Sequence, residues 1–297
     1  MDRLVEREPA GRGPVTAAPA LAVQFFLIPF GVIVVTVLIY AGFRVLLADD
    51  RTVQDYLNEI QNGGSDRRWP AAYELSRRIS DPKVRAANPG LGPALVKAFH
   101  DSKSSDPLVR RYLALALGRL DPPLPPDAVP LLTEALTDPD SETRISAIWA
   151  LGSIGDAIAA PALMELYASD DPGIRKMTVY ALGALPGDPQ VRTLQTALGD
   201  PATDVKWNAA VALARHGKRD GLPVLRDMLD RAHVERHLQK AGGSSDEDRA
   251  GEVMISSLRA VASLKAGTLR EPVLSLSRQD PSMRVRQAAL EALKMMG

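Results

Sequence analysis

Apolar residues recur along most of this chain at helical spacing, in short blocks divided by Asp-Pro. Five blocks show it best: DPLVRRYLALALGRL (106–120), DPDSETRISAIWALGSI (138–154), DPGIRKMTVYALGAL (171–185), DPATDVKWNAAVALARHG (200–217) and DPSMRVRQAALEAL (280–293). Each has a basic anchor: Arg110, Arg144, Arg175, Lys206 or Arg286. A Leu follows seven positions later in every copy, at Leu117, Leu151, Leu182, Leu213 and Leu293. At 100° per residue, the positions one before and three, seven and ten after the anchor share one face, which must be the core side. Shorter amphipathic stretches lie between the blocks: LGPALVKAFHD, DAVPLLTEALTD, AAPALMELYASD, VRTLQTALGD and GLPVLRDMLD.

The pattern predicts pairs of helices joined at the Asp-Pro turn. Asp or Ser caps the second helix, Pro suits its first turn, and Leu-Gly closes it and lets the next helix approach. The anchors are spaced 34, 31, 31 and 80 apart. The long gap holds one more copy, ISSLRAVASLKAG (255–267), and an insertion of about 19 residues at 231–249. A degenerate early copy is DRRWPAAYELSRRI (66–79). One helix pair cannot bury its own stripe, so stacking six or seven makes an all-α fold, an α-solenoid over 51–297.

The first fifty residues read differently. Residues 1–20 mix charge, Pro, Gly and Ala without a period and predict a disordered tail. Residues 21–47, LAVQFFLIPFGVIVVTVLIYAGFRVLL, carry no charge between Leu21 and Phe43. A run of about 20 apolar residues spans a bilayer, so this segment is expected to be a transmembrane helix. Its core is too long for a cleaved signal peptide. The expected location is the cytoplasmic (inner) membrane, single-pass. Arg3, Arg7 and Arg12 against Arg44 and Arg51 lean the solenoid to the non-cytoplasmic side.

The repeated DP-x-x-R-x-x-A-x-x-A-L-G signature resembles HEAT repeats, in particular the short bacterial HEAT-like repeats also seen in phycobilisome lyases. The resemblance covers roughly residues 55–297. It implies that Asp171 and Arg175 belong to an internal ladder, the Arg of one repeat bridging to an Asp at a neighbouring turn. It also implies one enzymatic alternative, a lyase that attaches a tetrapyrrole to a protein.

Composition narrows the chemistry. Lys+Arg and Asp+Glu are 36 each, so no basic excess favours nucleic acid, and none is expected as a partner. With no Cys, thiolate nucleophiles and Cys-ligated metals are excluded. His233 and His237 stand i, i+4 in HVERH without the HExxH order or an evident third ligand, so no metal is expected. No Walker loop, dinucleotide fingerprint or nucleophile elbow occurs. No cofactor is expected.

In a solenoid, the positions that differ between copies on the solvent side carry function. One and five residues after the anchor the chain points away from the core, giving Arg111 and Leu115, Ile145 and Trp149, Lys176 and Tyr180, Trp207 and Val211, then Gln287 and Glu291. Arg111, Leu115, Ile145, Trp149, Lys176, Tyr180 and Trp207 are therefore the expected partner-binding groove on the concave face. The other possibility is that loops or the insertion cover these rings. The expected function is a membrane-anchored, non-catalytic adaptor that binds a protein component of a membrane or envelope complex.

Overall fold

A computed structural model describes residues 28–46, 51–104, 106–240 and 248–297. It divides into two units, Met1–Arg51 and Thr52–Gly297. In the first unit the described element is α1 (Ile28–Leu46), and its described side chains are exposed. The expected tail falls outside the described residues. The expected membrane span is corrected: among the described residues no helix is long and apolar enough to cross a membrane. The uncharged helical run from Ile28 to Phe43 is sixteen residues. At 1.5 Å per residue that is roughly 24 Å, short of a hydrocarbon core of about 30 Å. The single-pass inner-membrane location fails with it.

The second unit is an all-helical solenoid, with no strand among its described residues. Its elements are α2 (Val53–Asn62), α3 (Ser65–Arg78), α4 (Pro82–Ala87), α5 (Leu91–Asp101), α6 (Pro107–Leu117), α7 (Ala128–Glu134), α8 (Ser141–Ile154) and α9 (Ala160–Leu166). There follow α10 (Pro172–Leu182), α11 (Val191–Ala197), α12 (Thr203–Arg215), α13 (Leu222–Asp227), α14 (Arg231–Lys240), α15 (Arg249–Ser263), α16 (Arg270–Gln279) and α17 (Met283–Met296). The second helices of successive repeats pack in one row: α3, α6, α8, α10, α12, α15 and α17. The first helices α5, α7, α9, α11 and α16 flank that row, each packed on the second helix of its own pair. The Leu seven after the anchor is buried at Leu117, Leu151, Leu182 and Leu213, so it is a rung of the continuous core.

The A-L-G signature has a packing reason. A methyl placed on Gly118 meets Ala150 Cα at 2.6 Å; on Gly152 it meets Ala181 Cα at 2.9 Å; on Gly183 it meets Ala212 Cβ at 2.5 Å. The Gly of one repeat is thus the seat for the Ala of the next. These glycines are not left-handed helix ends, since Gly118 and Gly183 have φ of −67° and −70°. The close approach, not a special backbone conformation, requires them.

The Asp-Pro turns divide into two kinds, a refinement of the uniform cap that the sequence predicts. Asp106 and Asp171 cap their helices by accepting from Leu108 N and Gly173 N at 2.8 and 2.7 Å, with Pro in the first turn. At Asp138, Asp200 and Asp280 the Asp likewise accepts from the N–H two residues on, at 2.9–3.0 Å, but the helix begins three residues after it rather than one. Those three carboxylates also receive an Arg of an earlier repeat. Arg110 Nε donates to Asp138 at 2.6 Å, Arg175 Nε to Asp200 at 2.9 Å, and Arg231 Nη2 to Asp280 at 2.7 Å. Arg175 Nη1 turns back to Ser169 O and Asp170 O, both at 2.9 Å, fixing its own turn. So the ladder expected of Arg175 exists, with Asp200 as its other half. Asp171 is a helix cap.

The third rung comes from the insertion. Arg231 opens α14 and reaches 49 residues along the chain to Asp280, with Asp248 held at its other nitrogen at 2.9 Å. In the repeat it serves, the anchor position of α15 is Met254, eleven residues before the left-handed Lys265 as Arg144 and Lys206 are before Gly155 and Gly217, and it is buried and apolar. The guanidinium missing there is supplied by the inserted helix.

Candidate functional site

The inner row of helices turns its off-core positions to one face, and the expected site residues behave differently there. Arg111 forms a bidentate pair with Asp140 at 2.7 and 2.6 Å. That carboxylate also caps α8 through Thr143 N, and Arg111 holds it well below the usual carboxylate range. Lys176 meets Asp204 at 3.2 Å. These two cations are the surface counterpart of the internal ladder, each tying one inner helix to the next. Leu115, Ile145 and Trp149 are half-buried, the last two packed against the core edge. Tyr180 is exposed.

Trp207 overturns its expectation. It is only 7% exposed and belongs to the second core cluster. The physical reason is the insertion: α14 lies over it, and His237 meets the indole edge to face at 6.0 Å. Of the expected apolar groups Leu115, Ile145, Trp149, Tyr180 and Trp207, the rings left at the surface are Trp149 and Tyr180.

Two arginines that the off-core positions one and five did not reveal complete the site. Arg119 stacks over Trp149, 5.3 Å from the ring centroid, and donates from Nη1 to Ser76 O at 3.3 Å. Arg215 stacks over Tyr180 at 5.5 Å. Both stand nine residues after their anchors, Arg110 and Lys206, and that register was the available signal. Arg119 reaches forward from the end of α6 to α8, and Arg215 reaches back from the end of α12 to α10. The rings of two adjacent inner helices are thus bracketed by two guanidiniums.

Beside this lies a cleft of about 380 Å³, between α10, α12, α14 and α15. Tyr180, Trp207, Val211, Leu238 and Val253 line it, with Arg215 and Arg249 also at its wall. That size lies within the range of ligand pockets, and the charged lining is mixed, with Asp204 and Glu252 beside the cations. The two insertion histidines stack on each other at 4.4 Å. Among the described residues no group of three His, Asp or Glu is placed to hold a metal ion.

Against known proteins, the family described as HEAT repeats matches residues 92–183 and 168–241, and a HEAT repeat matches 269–297. The chain belongs to the HEAT-repeat family. This HEAT-repeat protein is 28% identical over 159 residues to the uncharacterized phycocyanin operon protein Y of Pseudanabaena tenuis. The match covers 52% of this chain and 35% of that protein, so the chain spans about a third of the relative's length. In structure it is similar to the complex of CpcE and CpcF of phycocyanin lyase from Nostoc sp. PCC7120. The TM-score is 0.54 at 19% identity, over 84% of this chain and 97% of that one. That likeness shows a shared solenoid fold.

Proposed function

We propose that this HEAT-repeat protein is a protein-binding module that seats a segment of a partner polypeptide on Trp149 and Tyr180. The observation that carries the reading is the pair of Arg-capped rings on adjacent inner helices. Aromatic rings and arginines dominate binding hot spots, because they bury large area at small entropic cost and stack while still hydrogen bonding. Elsewhere on this face Arg111 and Lys176 are tied up in ion pairs within the chain.

A bound partner serves either of two roles. The comparisons support the lyase-type alternative better than the adaptor, since both named relatives belong to phycocyanin systems. On that reading a tetrapyrrole is the substrate and the bound protein its acceptor. The cleft beside Trp207 supports such a substrate with apolar walls for a conjugated ring system; its carboxylates Asp204 and Glu252 are paired with Lys176 and Arg284, which leaves Arg215 and Arg249 for the substrate's carboxylates. The adaptor reading keeps the protein partner and drops the chromophore.

One experiment separates them. The purified full chain is mixed with a linear tetrapyrrole and passed through gel filtration, then offered an acceptor protein. Co-elution of visible absorbance and its covalent transfer support the lyase role. Absence of both, with a protein partner still bound through the inner face, leaves the adaptor.

A further inference from the structure

Most stacked or inward-facing cations of the solenoid already have a carboxylate. Arg110 lies over Phe99 at 4.5 Å and pairs with Asp138, and Arg77 lies over Tyr73 and meets Glu74 at 3.5 Å. Arg119 and Arg215 have none among the described residues. Each is nonetheless held in a defined orientation by the ring beneath it. Stacking uses the flat face of a guanidinium and leaves its N–H edge, which lies in the plane where a carboxylate binds with two parallel hydrogen bonds; Arg119 gives one Nη1 donor to Ser76 O and keeps Nε and Nη2 for such a partner.

The environment makes this vacancy costly. Arg119 is part-buried, so its charge has given up water without gaining an anion. Burial accordingly holds its guanidinium below the ordinary value. A carboxylate arriving at that edge recovers the lost stabilisation, and the aromatic floor beside it excludes water from the pair.

Geometry sets the spacing of the two positions. The rings lie on α8 and α10, which pack directly, and packed helices stand about 8–10 Å apart. Arg119 reaches its ring from the end of α6 and Arg215 from the end of α12, so the two guanidiniums stand outside that pair of helices, and at about 3.3 Å per residue of extended chain the acids that meet both are about three residues apart or more. We infer that this face binds a short acidic segment of a partner polypeptide, two carboxylates closing on Arg119 and Arg215 and the apolar side chain between them resting on Trp149 and Tyr180. The inference rests on the protein-binding reading above and specifies the partner's chemistry: an acidic stretch interrupted by apolar residues.

The test is a selection of random 12-residue displayed peptides on the full chain, followed by fluorescence anisotropy of the recovered peptides. The selected sequences should carry two Asp or Glu three or more positions apart with an apolar residue between them. Arg215→Gln, at an exposed position, should weaken their binding on the order of tenfold, as expected for one charged hydrogen-bonded contact. Arg119→Lys should weaken it to a lesser degree, and Gln in place of either peptide acid should match the Arg215 loss. Rising salt should weaken binding further.

Enrichment of basic or uncharged peptides overturns the inference, as do acidic binders indifferent to both Arg variants. If uncharged peptides are recovered and lost with Trp149→Ala, the protein-binding face stands and only the acidic partner falls. Recovery of no binder, or of binders indifferent to Trp149→Ala as well, removes both.

Discussion

The spacing of the inner helices depends on Gly183. A methyl placed there lands 2.5 Å from Ala212 Cβ and 2.9 Å from its Cα, where carbon atoms rest about 3.5–4.0 Å apart. Backbone and Cβ of α12 cannot swing aside as a flexible side chain would, so α10 and α12 must separate by roughly 1 Å. Overpacking of this kind costs about 1–3 kcal/mol. Replacing Gly by Ala in helical backbone returns up to about 1 kcal/mol, leaving a net loss for Gly183→Ala of about 1–2 kcal/mol. For a domain of about 250 residues each kcal/mol moves Tm by about 2–4 °C, so a drop of roughly 2–8 °C is expected by circular dichroism. Gly267 supplies the control, because a methyl there meets nothing within 4 Å and its backbone is not left-handed, and Gly267→Ala should leave Tm unchanged or slightly higher. The sharper assay is a double-mutant cycle. Ala212→Gly removes the methyl being struck, so the double variant should be more stable than the two single losses summed, by about 1 kcal/mol. A Gly183→Ala chain as stable as the parent, or strict additivity with Ala212→Gly, would refute the seat-and-methyl account of the A-L-G signature.

Four further outcomes follow from particular contacts. Trp207→Ala, at a buried ring, should cost about 3–5 kcal/mol in urea unfolding, whereas Trp149→Ala at a half-buried one should cost clearly less. Arg175→Met strands Asp200, whose side chain is 2% exposed, and should cost about 3–5 kcal/mol by the same assay. The pH dependence has a defined sign. Arg175 holds Asp200 below the usual carboxylate value and Arg231 holds Asp248 at about 2. A lowered folded value stabilises above the unfolded value near 3.8 and is lost as pH falls toward the folded one, so the urea midpoint should be flat near neutrality and fall between about pH 4 and 2. Arg231→Gln should remove part of that acid dependence, measured as a shallower fall of the midpoint.

What the sequence disclosed and what it withheld divide along local and distant causes. The repeat was legible because Leu117, Leu151, Leu182 and Leu213 recur at fixed distance from a cation, and a solenoid core forces that recurrence. The internal ladder was expected only through the HEAT resemblance, which placed Arg175 in it; Asp171, expected beside it, caps α10 instead, and Asp200 takes the guanidinium. For Trp207 the sequence left two readings open, an exposed ring or one covered by the insertion, and could not choose, because what covers it is a helix about thirty residues downstream whose direction no local pattern encodes. Its phase on α12 was read rightly as off-core; the insertion then supplied a second core. Arg119 and Arg215 escaped for another reason. Each sits at the very end of an inner helix, where a long side chain reaches the neighbouring repeat and position on the wheel no longer predicts what it touches. The apolar run at 21–47 was read by composition alone, while the described helix keeps only Ile28–Phe43 free of charge.

The central claim is that the inner face around Trp149 and Tyr180 holds a protein. Site-specific photocrosslinking tests it most directly. A photoreactive phenylalanine derivative replaces Tyr180 on the inner face, or Ile158, 72% exposed on the turn leading into α9, in the full chain expressed in its native cells. The account predicts one dominant crosslinked polypeptide from position 180, diminished when Arg215→Gln is added, and none from position 158. Crosslinks from position 158 with none from 180, or adducts at 180 unaffected by Arg215→Gln, would contradict it.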